Sequence, residues 1–400
     1  MTGVFRIATG LLLLHALDDA FFHRGPGLGV DQHVLAAAIS LAAGIAAIVA
    51  FPRLRAGLRA AVAFALGGLG IVNGALHLIH VTEHGASGSD ITGVVAVAAG
   101  AVLVGLAAVI PIRHRGEGSA VSRLVAVPVA VVALFFVLVP VGMGIVASHK
   151  WREPVGEPPG PAYAEVGFRA SDGLRLAGWY RPSRNGAAVL VVHGGSSDRK
   201  GSVAHARMLA AHGYGVLLYD ARGRGESDGT ENNYGWDWPK DIAGALAFLR
   251  EREDVDPERI AALGLSTGAD ALLEVAGTGD GLAALVSDGA AAASFADGQN
   301  LNGTGIHSVP SWLMFSTIRV LSGDPPGPPL ADLVPRIDEP TLLISAGTDI
   351  ERDFNVLYDR VARGPVEHWN LPDAHHTDAI YEQRAAYERR VVAFLDRELR

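Results

Sequence analysis

Five long apolar runs in the first 148 residues constrain the fold of this chain more than any other feature. They occupy residues 4–22, 34–51, 58–81, 91–112 and 124–147. A transmembrane helix needs about 20 predominantly apolar residues, and each run is close to that length. The mean hydropathy of +0.26 and the charged fraction of 19% are also unusual for a soluble protein of 400 residues. The sequence therefore predicts a multi-pass α-helical membrane bundle of about five spans over residues 1–148.

The arginines predict how this bundle is oriented. Three arginines lie in the loop 52–59 and three more in the loop 113–123, whereas the alternate loops carry one between them. Because loops rich in arginine and lysine stay in the cytoplasm, we expect the amino terminus to be inside. Five crossings then predict a cell-membrane protein whose carboxyl-terminal domain is extracytoplasmic.

The composition changes after the fifth run. Residues 149–161 read "HKWREPVGEPPGP", a proline- and glycine-rich stretch that predicts an extended linker. From residue 162 to 400, strand-like runs such as "AAVLVVH" and "TLLISAG" alternate with helical ones. That alternation predicts an α/β domain with a mostly parallel sheet covered by helices on both faces.

One serine in this domain lies in a pattern that points to chemistry. The stretch "RIAALGLSTGADALLE", residues 259–274, passes from a strand-like run through Gly264-Leu265-Ser266-Thr267-Gly268 into a helical run. A Gly-x-Ser-x-Gly sequence between strand and helix is typical of a strained turn that exposes a nucleophilic serine. The same pattern also arises by chance in glycine-rich chains, so the partners of Ser266 decide its meaning.

Suitable partners follow other strands. Gly194 and Gly195 come directly after "VLVVH", where a glycine turn can aim backbone N–H groups at a developing oxyanion. Asp349 follows "TLLISAG", where a carboxylate can orient a histidine, and Asp288 after "AALVS" is a rival for that role. The late segment "LPDAHHTDA" supplies two adjacent candidate bases, His375 and His376.

Taken together, these motifs resemble the α/β-hydrolase superfamily, in its serine-aminopeptidase-like and acyl-ester-hydrolase branch. The resemblance extends over residues 162–400 and rests on "VVHGGSSDRKG", "LLYDARGRGESDG", "GLSTGA", "PTLLISAGTD" and "LPDAHHTDA". The amino-terminal bundle resembles no known family.

The resemblance implies a role for each motif residue. Ser266 is the expected nucleophile, His376 the base and Asp349 the orienting acid, with the backbone amides of Gly195 and Thr267 as the oxyanion hole. His376 is preferred to His375 because the family's Gly-His-Thr pattern aligns with residues 375–377. This chemistry requires no cofactor.

The segment 291–329 between two core strands is too long for a simple connection and predicts a short cap over the serine. The expected substrate is a small-molecule or lipid acyl ester, with peptide or thioester cleavage as the alternatives of the same fold. The excess of acidic residues, 42 against 33 basic ones, disfavours nucleic-acid binding. The oligomeric state is left open.

Polar residues in the apolar runs provide a second hypothesis. His15 and Asp19 are four residues apart, and His77, His80 and His84 follow helical spacing. Ionisable groups inside a membrane are costly and usually paired or functional, and this set suits a divalent metal such as zinc. Hydrogen bonding between helices explains the pattern equally simply. A membrane sensor or transporter with a regulatory hydrolase-fold domain, or metal chemistry in the bundle, are therefore the alternatives to a membrane-anchored serine hydrolase.

Overall fold

The computed structural model describes residues 1–18, 31–84, 90–113, 134–279, 281–347 and 350–399. The chain forms two compact units. The first, called the helical unit here, comprises Met1–His149 together with Val309–Gly323. The second, called the sheet domain, comprises Lys150–Ser308 together with Asp324–Arg400.

The regular elements of the described residues are helices before residue 150 and both strands and helices after it, as the sequence predicts. The helices are α1 Thr2–Leu17, α2 Asp31–Ala50, α3 Ala56–His84, α4 Asp90–Arg113, α5 Val139–Ser148, α6 Val203–Ala211, α7 Trp238–Arg250, α8 Thr267–Thr278, α9 Phe295–Asn302, α10 Val309–Ser322, α11 Leu330–Leu333, α12 Ile350–Val361, α13 Ala379–Glu382 and α14 Arg384–Glu398. The strands are β1 Ala164–Arg169, β2 Arg175–Arg181, β3 Ala188–Val192, β4 Gly215–Tyr219, β5 Ile260–Leu265, β6 Ala284–Asp288, β7 Thr341–Ala346 and β8 Val366–Leu371.

The sheet domain contains one eight-stranded sheet in the order β1-β2-β4-β3-β5-β6-β7-β8. β2 is antiparallel to both of its neighbours, and every other pairing is parallel. Every residue of strands β3 to β7 is buried, as expected when helices cover both faces. This confirms the predicted α/β-hydrolase-like sheet. The parallel strands also bring the residues that follow β3, β5, β6, β7 and β8 to the same edge of the sheet.

The first residues of the sheet domain, from Lys150 onward, are hydrogen-bonded to the rest of that domain. Arg152 donates to the backbone oxygen of Gly225 at 3.2 Å and to that of Gly229 at 2.7 Å. Lys200 Nζ donates to the backbone oxygen of Pro154 at 2.8 Å. The segment 149–161, predicted as a linker, is thus held along the domain by hydrogen bonds.

In the helical unit, α3 and α4 approach each other closely at glycines. A Cβ atom on Gly67 would lie 2.7 Å from the backbone oxygen of Gly100. Further along the pair, Gly74 faces Gly93 in the same way, which makes the two helices antiparallel. Beside this pair, Phe5 of α1 stacks on Phe51 with ring centroids 3.7 Å apart.

The predicted bundle of five membrane spans is not supported. Two helical stretches of the described residues, Ala56–Ala75 and Asp90–Pro111, are long and apolar enough to cross a membrane. The other apolar helical stretches, Thr2–Leu17, Ser40–Arg53 and Phe136–Ser148, are shorter. The 16 residues of α1 extend about 24 Å, less than the roughly 30 Å of a hydrocarbon core. Residues 19–22 of the first predicted span and 124–133 of the fifth lie outside the described residues.

The segment 291–329, predicted as a cap, forms α9 and α10. Although α10 lies in sequence between β6 and β7, it belongs to the helical unit. It packs on α5 at Gly144, where a Cβ atom would lie 2.7 Å from the backbone oxygen of Met314 and 2.8 Å from Thr317 Cβ. The absence of a side chain at Gly144 therefore permits this helix pair.

We expect Gly144→Val to separate α5 from α10 and to destabilise the helical unit by about 1–3 kcal/mol, because the added methyl groups overlap the backbone of α10. Gly105→Val in α4 is the matched control, since nothing lies within 4 Å of its Cβ position. Thermal unfolding should give a lower Tm for Gly144→Val than for Gly105→Val. Equal Tm values would contradict the close approach of α5 and α10.

Candidate active site

The turn between β5 and α8 places Ser266 in a strained backbone conformation. Its φ of 54° and ψ of −121° lie in a region that residues with side chains rarely adopt. The glycines on either side make this turn possible. A Cβ atom on Gly264 would lie 2.5 Å from the backbone oxygen of Gly268, and one on Gly268 would lie 2.6 Å from that of Val192. The Gly-x-Ser-x-Gly pattern is thus a packing requirement of the turn.

Hydrogen bonds hold the turn from both sides. The backbone N–H of Ser266 donates to the backbone oxygen of Asp288 at the end of β6, at 2.8 Å. The backbone oxygen of Ser266 accepts from the N–H of Ala269 at 2.7 Å and from that of Asp270 at 3.0 Å, in the first turn of α8. The serine side chain consequently starts from a fixed position at the carboxyl edge of the sheet.

His376, on the loop after β8, reaches this serine. The two side chains meet with Ser266 Oγ 2.8 Å from His376 Nε2, a distance at which the hydroxyl donates to the imidazole. The neighbouring His375 points elsewhere: its Nδ1 lies 2.6 Å from Glu382 Oε1, and 83% of its side chain is exposed. Of the two candidate bases, the structure brings only His376 to Ser266.

The carboxylate beside His376 belongs to Glu351. Its Oε2 lies 2.5 Å from His376 Nδ1, so that the ring N–H donates to it. Its other oxygen, Oε1, accepts from the backbone N–H of Ala346 at 2.6 Å, which orients the carboxylate. Asp349, the acid expected from the resemblance, lies outside the described residues. The rule that predicts Asp349, a carboxylate shortly after β7, describes Glu351 equally well.

Nearby carboxylates act on the charge of the base. The pKa of His376 is raised, chiefly by its hydrogen bond to Glu351, while burial partly opposes this rise and Asp288 and Asp270 add to it. Burial raises the pKa of Asp288 and that of Asp270 to about 7. Since only neutral imidazole accepts the serine proton, activity should be lost as the pH falls through the pKa of His376.

The predicted oxyanion residues lie against one another. A Cβ atom on Gly195 would lie 2.6 Å from Thr267 Oγ1, so the glycine turn after β3 closely approaches the start of α8. Within the described part of the chain, the backbone N–H groups of Gly195 and Thr267 donate to no protein acceptor. These two donors are therefore available to a substrate oxygen.

Buried side chains support this glycine turn. His193 Nδ1 donates to the backbone oxygen of Gly194 at 2.8 Å, and His193 Nε2 accepts from the N–H of Ala221 at 3.0 Å. Burial lowers the pKa of His193 to about 4, so its ring stays neutral. Arg224 Nε donates to the backbone oxygen of Gly195 at 3.3 Å. His193 and Arg224 position the turn and do not touch Ser266 Oγ.

The histidines proposed as metal ligands lie in the helical unit. The rings of His15 and His77 meet edge to face, with centroids 4.7 Å apart. Asn73 Nδ2 donates to His15 Nε2 at 3.1 Å, and His15 Nδ1 lies 3.1 Å from Thr92 Oγ1. His77 Nδ1 lies 3.2 Å from Asp90 Oδ1.

These contacts are hydrogen bonds and a ring contact between helices. Among the residues whose positions are described, no three His, Asp or Glu side chains are grouped to hold a metal ion. Asp19 and the side chains of His80 and His84 lie outside the described part of the structure. The metal site stays a prediction.

We expect Glu351→Gln to lower kcat/KM by about 10²- to 10⁴-fold, because the base loses the carboxylate that orients it and stabilises its cation. The acid limb of the pH–rate profile should also move to lower pH, since the group that chiefly raises the pKa of His376 is gone. Glu382→Gln is the matched control, because Glu382 makes the same type of contact with His375. A large loss in Asp349→Asn with little loss in Glu351→Gln would instead identify Asp349 as the acid.

Comparison with known proteins relates the sheet domain to a family. The model of the X-Pro dipeptidyl-peptidase (S15) family matches residues 164–380. YfhR of Escherichia coli K12, an uncharacterized protein, is 34% identical over 139 residues, which cover 32% of this chain and 48% of YfhR. The thiohydrolase aneE of Aspergillus aculeatus is 37% identical over 116 residues, 28% of this chain and 36% of aneE. The chain thus spans half or less of the length of these curated relatives.

Among solved structures, the esterase Pf2001 of Pyrococcus furiosus has a similar fold. Its TM-score is 0.52 at 22% sequence identity, over 63% of this chain and 98% of the esterase. This similarity confirms the α/β-hydrolase fold of the sheet domain. Because the family model matches more than half of its residues, the chain belongs to the X-Pro dipeptidyl-peptidase (S15) family of α/β hydrolases.

Proposed function

We propose that the protein is a serine hydrolase that cleaves an acyl ester through a covalent acyl-enzyme. The observation that carries this proposal is the chain of contacts from Ser266 Oγ to His376 Nε2, at 2.8 Å, and from His376 Nδ1 to Glu351 Oε2, at 2.5 Å. A hydroxyl, an imidazole and a carboxylate in this order form the arrangement that activates a serine nucleophile.

In the proposed reaction, His376 Nε2 takes the proton of Ser266 as Oγ attacks the acyl carbonyl. The N–H groups of Gly195 and Thr267 stabilise the resulting oxyanion. The C–O bond to the alcohol then breaks, and His376 returns the proton to the departing oxygen. Water, deprotonated by the same imidazole, attacks the acyl-enzyme and releases the acid and free Ser266. The mechanism requires no metal or organic cofactor.

Peptide cleavage is the second candidate, and family membership favours it. The S15 family is named for a dipeptidyl-peptidase, and the thiohydrolase aneE indicates a thioester as a further acyl substrate. All three reactions pass through the same acyl-enzyme, so the geometry of the site admits each of them. They differ in the leaving group, because an amine must be protonated as it departs whereas an alkoxide or thiolate leaves more readily.

We also propose that the helical unit lies in a membrane. Only 17% of the apolar window in Ala56–Ala75 and 44% of that in Asp90–Pro111 are buried, unlike the core helix of a soluble protein. Large apolar side chains on other helices of the unit are exposed as well, among them Ile7 at 69% and Met143 at 55%. A lipid bilayer would cover these surfaces, and amphiphilic acyl substrates partition into the same phase.

The orientation proposed from the sequence applies to the antiparallel pair α3 and α4. Arg55 and Arg59 lie at the start of α3, and Arg113 lies at the end of α4. Both ends therefore belong on the cytoplasmic side. If residues 124–147 cross once more, as their apolar sequence predicts, the sheet domain is extracytoplasmic.

A fluorophosphonate probe is expected to label the purified protein at Ser266, because the activated hydroxyl attacks phosphorus as it attacks an acyl carbon. Ser266→Ala should abolish labelling while the protein stays folded by circular dichroism. Undiminished labelling of this variant would show that Ser266 is not the nucleophile. Rates on 4-nitrophenyl esters, a matching thioester and aminoacyl-proline 4-nitroanilides then separate the candidates. Faster turnover of the anilides than of the esters would favour the peptidase.

Topology can be measured with single cysteines because the natural chain contains none. We expect an impermeant thiol reagent on intact cells to label Glu251→Cys, on the sheet domain, and not Gly57→Cys, beside the arginines of α3. Position 251 is 76% exposed, and a Cβ atom on Gly57 meets nothing within 4 Å. Permeabilised cells, in which both variants react, are the control. Labelling of Gly57→Cys alone would place the sheet domain in the cytoplasm.

A further inference from the structure

A buried acid–phenol pair lies behind the candidate active site and is not used by the proposed mechanism. Asp288, the last residue of β6, is 1% exposed, and its Oδ2 accepts a hydrogen bond from the hydroxyl of Tyr387 at 2.7 Å. Tyr387, on α14, is itself 0% exposed. Its ring meets that of His205 edge to face, at 5.6 Å between centroids.

The backbone of this strand end contacts the backbone of Ser266 and the side chain of His376. The backbone oxygen of Asp288 accepts from the N–H of Ser266 at 2.8 Å. At the next residue, a Cβ atom on Gly289 would lie 2.9 Å from His376 Cε1, so the imidazole edge packs directly against the peptide chain. The N–H of Gly289 donates to the backbone oxygen of Ile344 in β7 at 2.9 Å, which anchors this turn.

On the basis of the proposed function, we propose that Asp288, held by Tyr387, is a positioning residue of the active site. Its carboxyl group is the second one that acts on His376, and its charge favours the protonated imidazole. Its backbone oxygen, at the end of β6, accepts the N–H of the nucleophile Ser266. Glu351 retains the direct contact with the imidazole.

The charged groups around Asp288 support this role. Glu351 of α12 and Asp378 near α13 are acidic, and His376 is the basic group that acts on Asp288. His205, beside Tyr387, stays neutral because burial lowers its pKa to about 3. A negative charge on Asp288 therefore favours the cation of His376, which forms in each half of the reaction.

The direction of the effect follows from these contacts. Burial raises the pKa of Asp288 to about 7, and the hydrogen bond from Tyr387 opposes that rise by favouring the carboxylate. The carboxylate in turn raises the pKa of His376, alongside the larger effect of Glu351 and a contribution from Asp270. Removing the charge at position 288, or the hydroxyl at 387, should make His376 easier to deprotonate. Both changes should thus move the acid limb of activity to lower pH.

The test is the pH dependence of fluorophosphonate labelling at Ser266, which does not require the natural substrate to be known. Asp288→Asn should raise the labelling rate on the acid limb about threefold or more relative to its own plateau. Tyr387→Phe should move the limb in the same direction by less. The plateau rate should fall in both variants, because the strand end is less firmly held.

The control is Asp396→Asn, which removes an exposed carboxylate that also accepts a hydrogen bond from a tyrosine and lies on α14, the helix of Tyr387. Tyr214 donates to Asp396 Oδ1 at 2.6 Å, and neither residue contacts the site. Its acid limb should coincide with that of the unmodified protein. A lower plateau with an unmoved limb in both test variants would reduce Asp288 to a structural residue and overturn the proposal. If Asp288→Asn does not fold, the acid limb of the labelling profile of Tyr387→Phe tests the proposal alone, and an unmoved limb overturns it.

Failure of the proposed function gives a different result. In that case the unmodified protein is not labelled at any pH, or Ser266→Ala is labelled as well. Labelling that depends on Ser266 but has the same acid limb in all variants leaves the hydrolase proposal intact and refutes only the role of Asp288.

Discussion

The candidate site depends on one strained turn. Ser266 can hold a positive φ between β5 and α8 only because Gly264 and Gly268 carry no side chains and the backbone oxygen of Asp288 accepts its N–H. That turn exposes the hydroxyl at the edge of the sheet where the other parallel strands also end. The histidine loop after β8 and the glycine turn after β3 reach the serine from the same edge of the sheet, and Glu351, after β7, contacts the histidine there.

Several carboxyl groups surround a single imidazole. Glu351 touches His376, while Asp288 and Asp270 act from behind, and burial holds the pKa of each of these two near 7. Ionisation of one makes ionisation of the next more costly, because like charges repel in a region of low dielectric. The imidazole of His376 thus lies in an electrostatic field that changes within the neutral pH range, and the direct Glu351 contact is the dominant part of it.

The helical unit includes a helix that the chain supplies from the middle of the sheet domain. The connection between β6 and β7 leaves the sheet domain at Ser308, contributes α10 to the helical unit and returns at Asp324. Gly144 makes this possible by letting α5 approach the backbone of α10, just as paired glycines let α3 approach α4. Small residues thus set how closely the helices of this unit approach each other.

Local pattern in the sequence was enough to predict the sheet, the strained turn at Ser266 and the loop that carries His376. These features depend on residues close together in the sequence. Flanking glycines permit the turn, and strand-like apolar runs that alternate with helical runs are buried in a parallel sheet covered on both faces. Tertiary structure decided what local pattern leaves open. Glu351 follows β7, and the direction in which α12 starts brings its carboxylate to the imidazole, while Asp349, the acid expected from the resemblance, stays a prediction. Likewise, α10 packs on α5, which is distant in sequence. The residues at which the apolar helices begin and end are also not determined by composition.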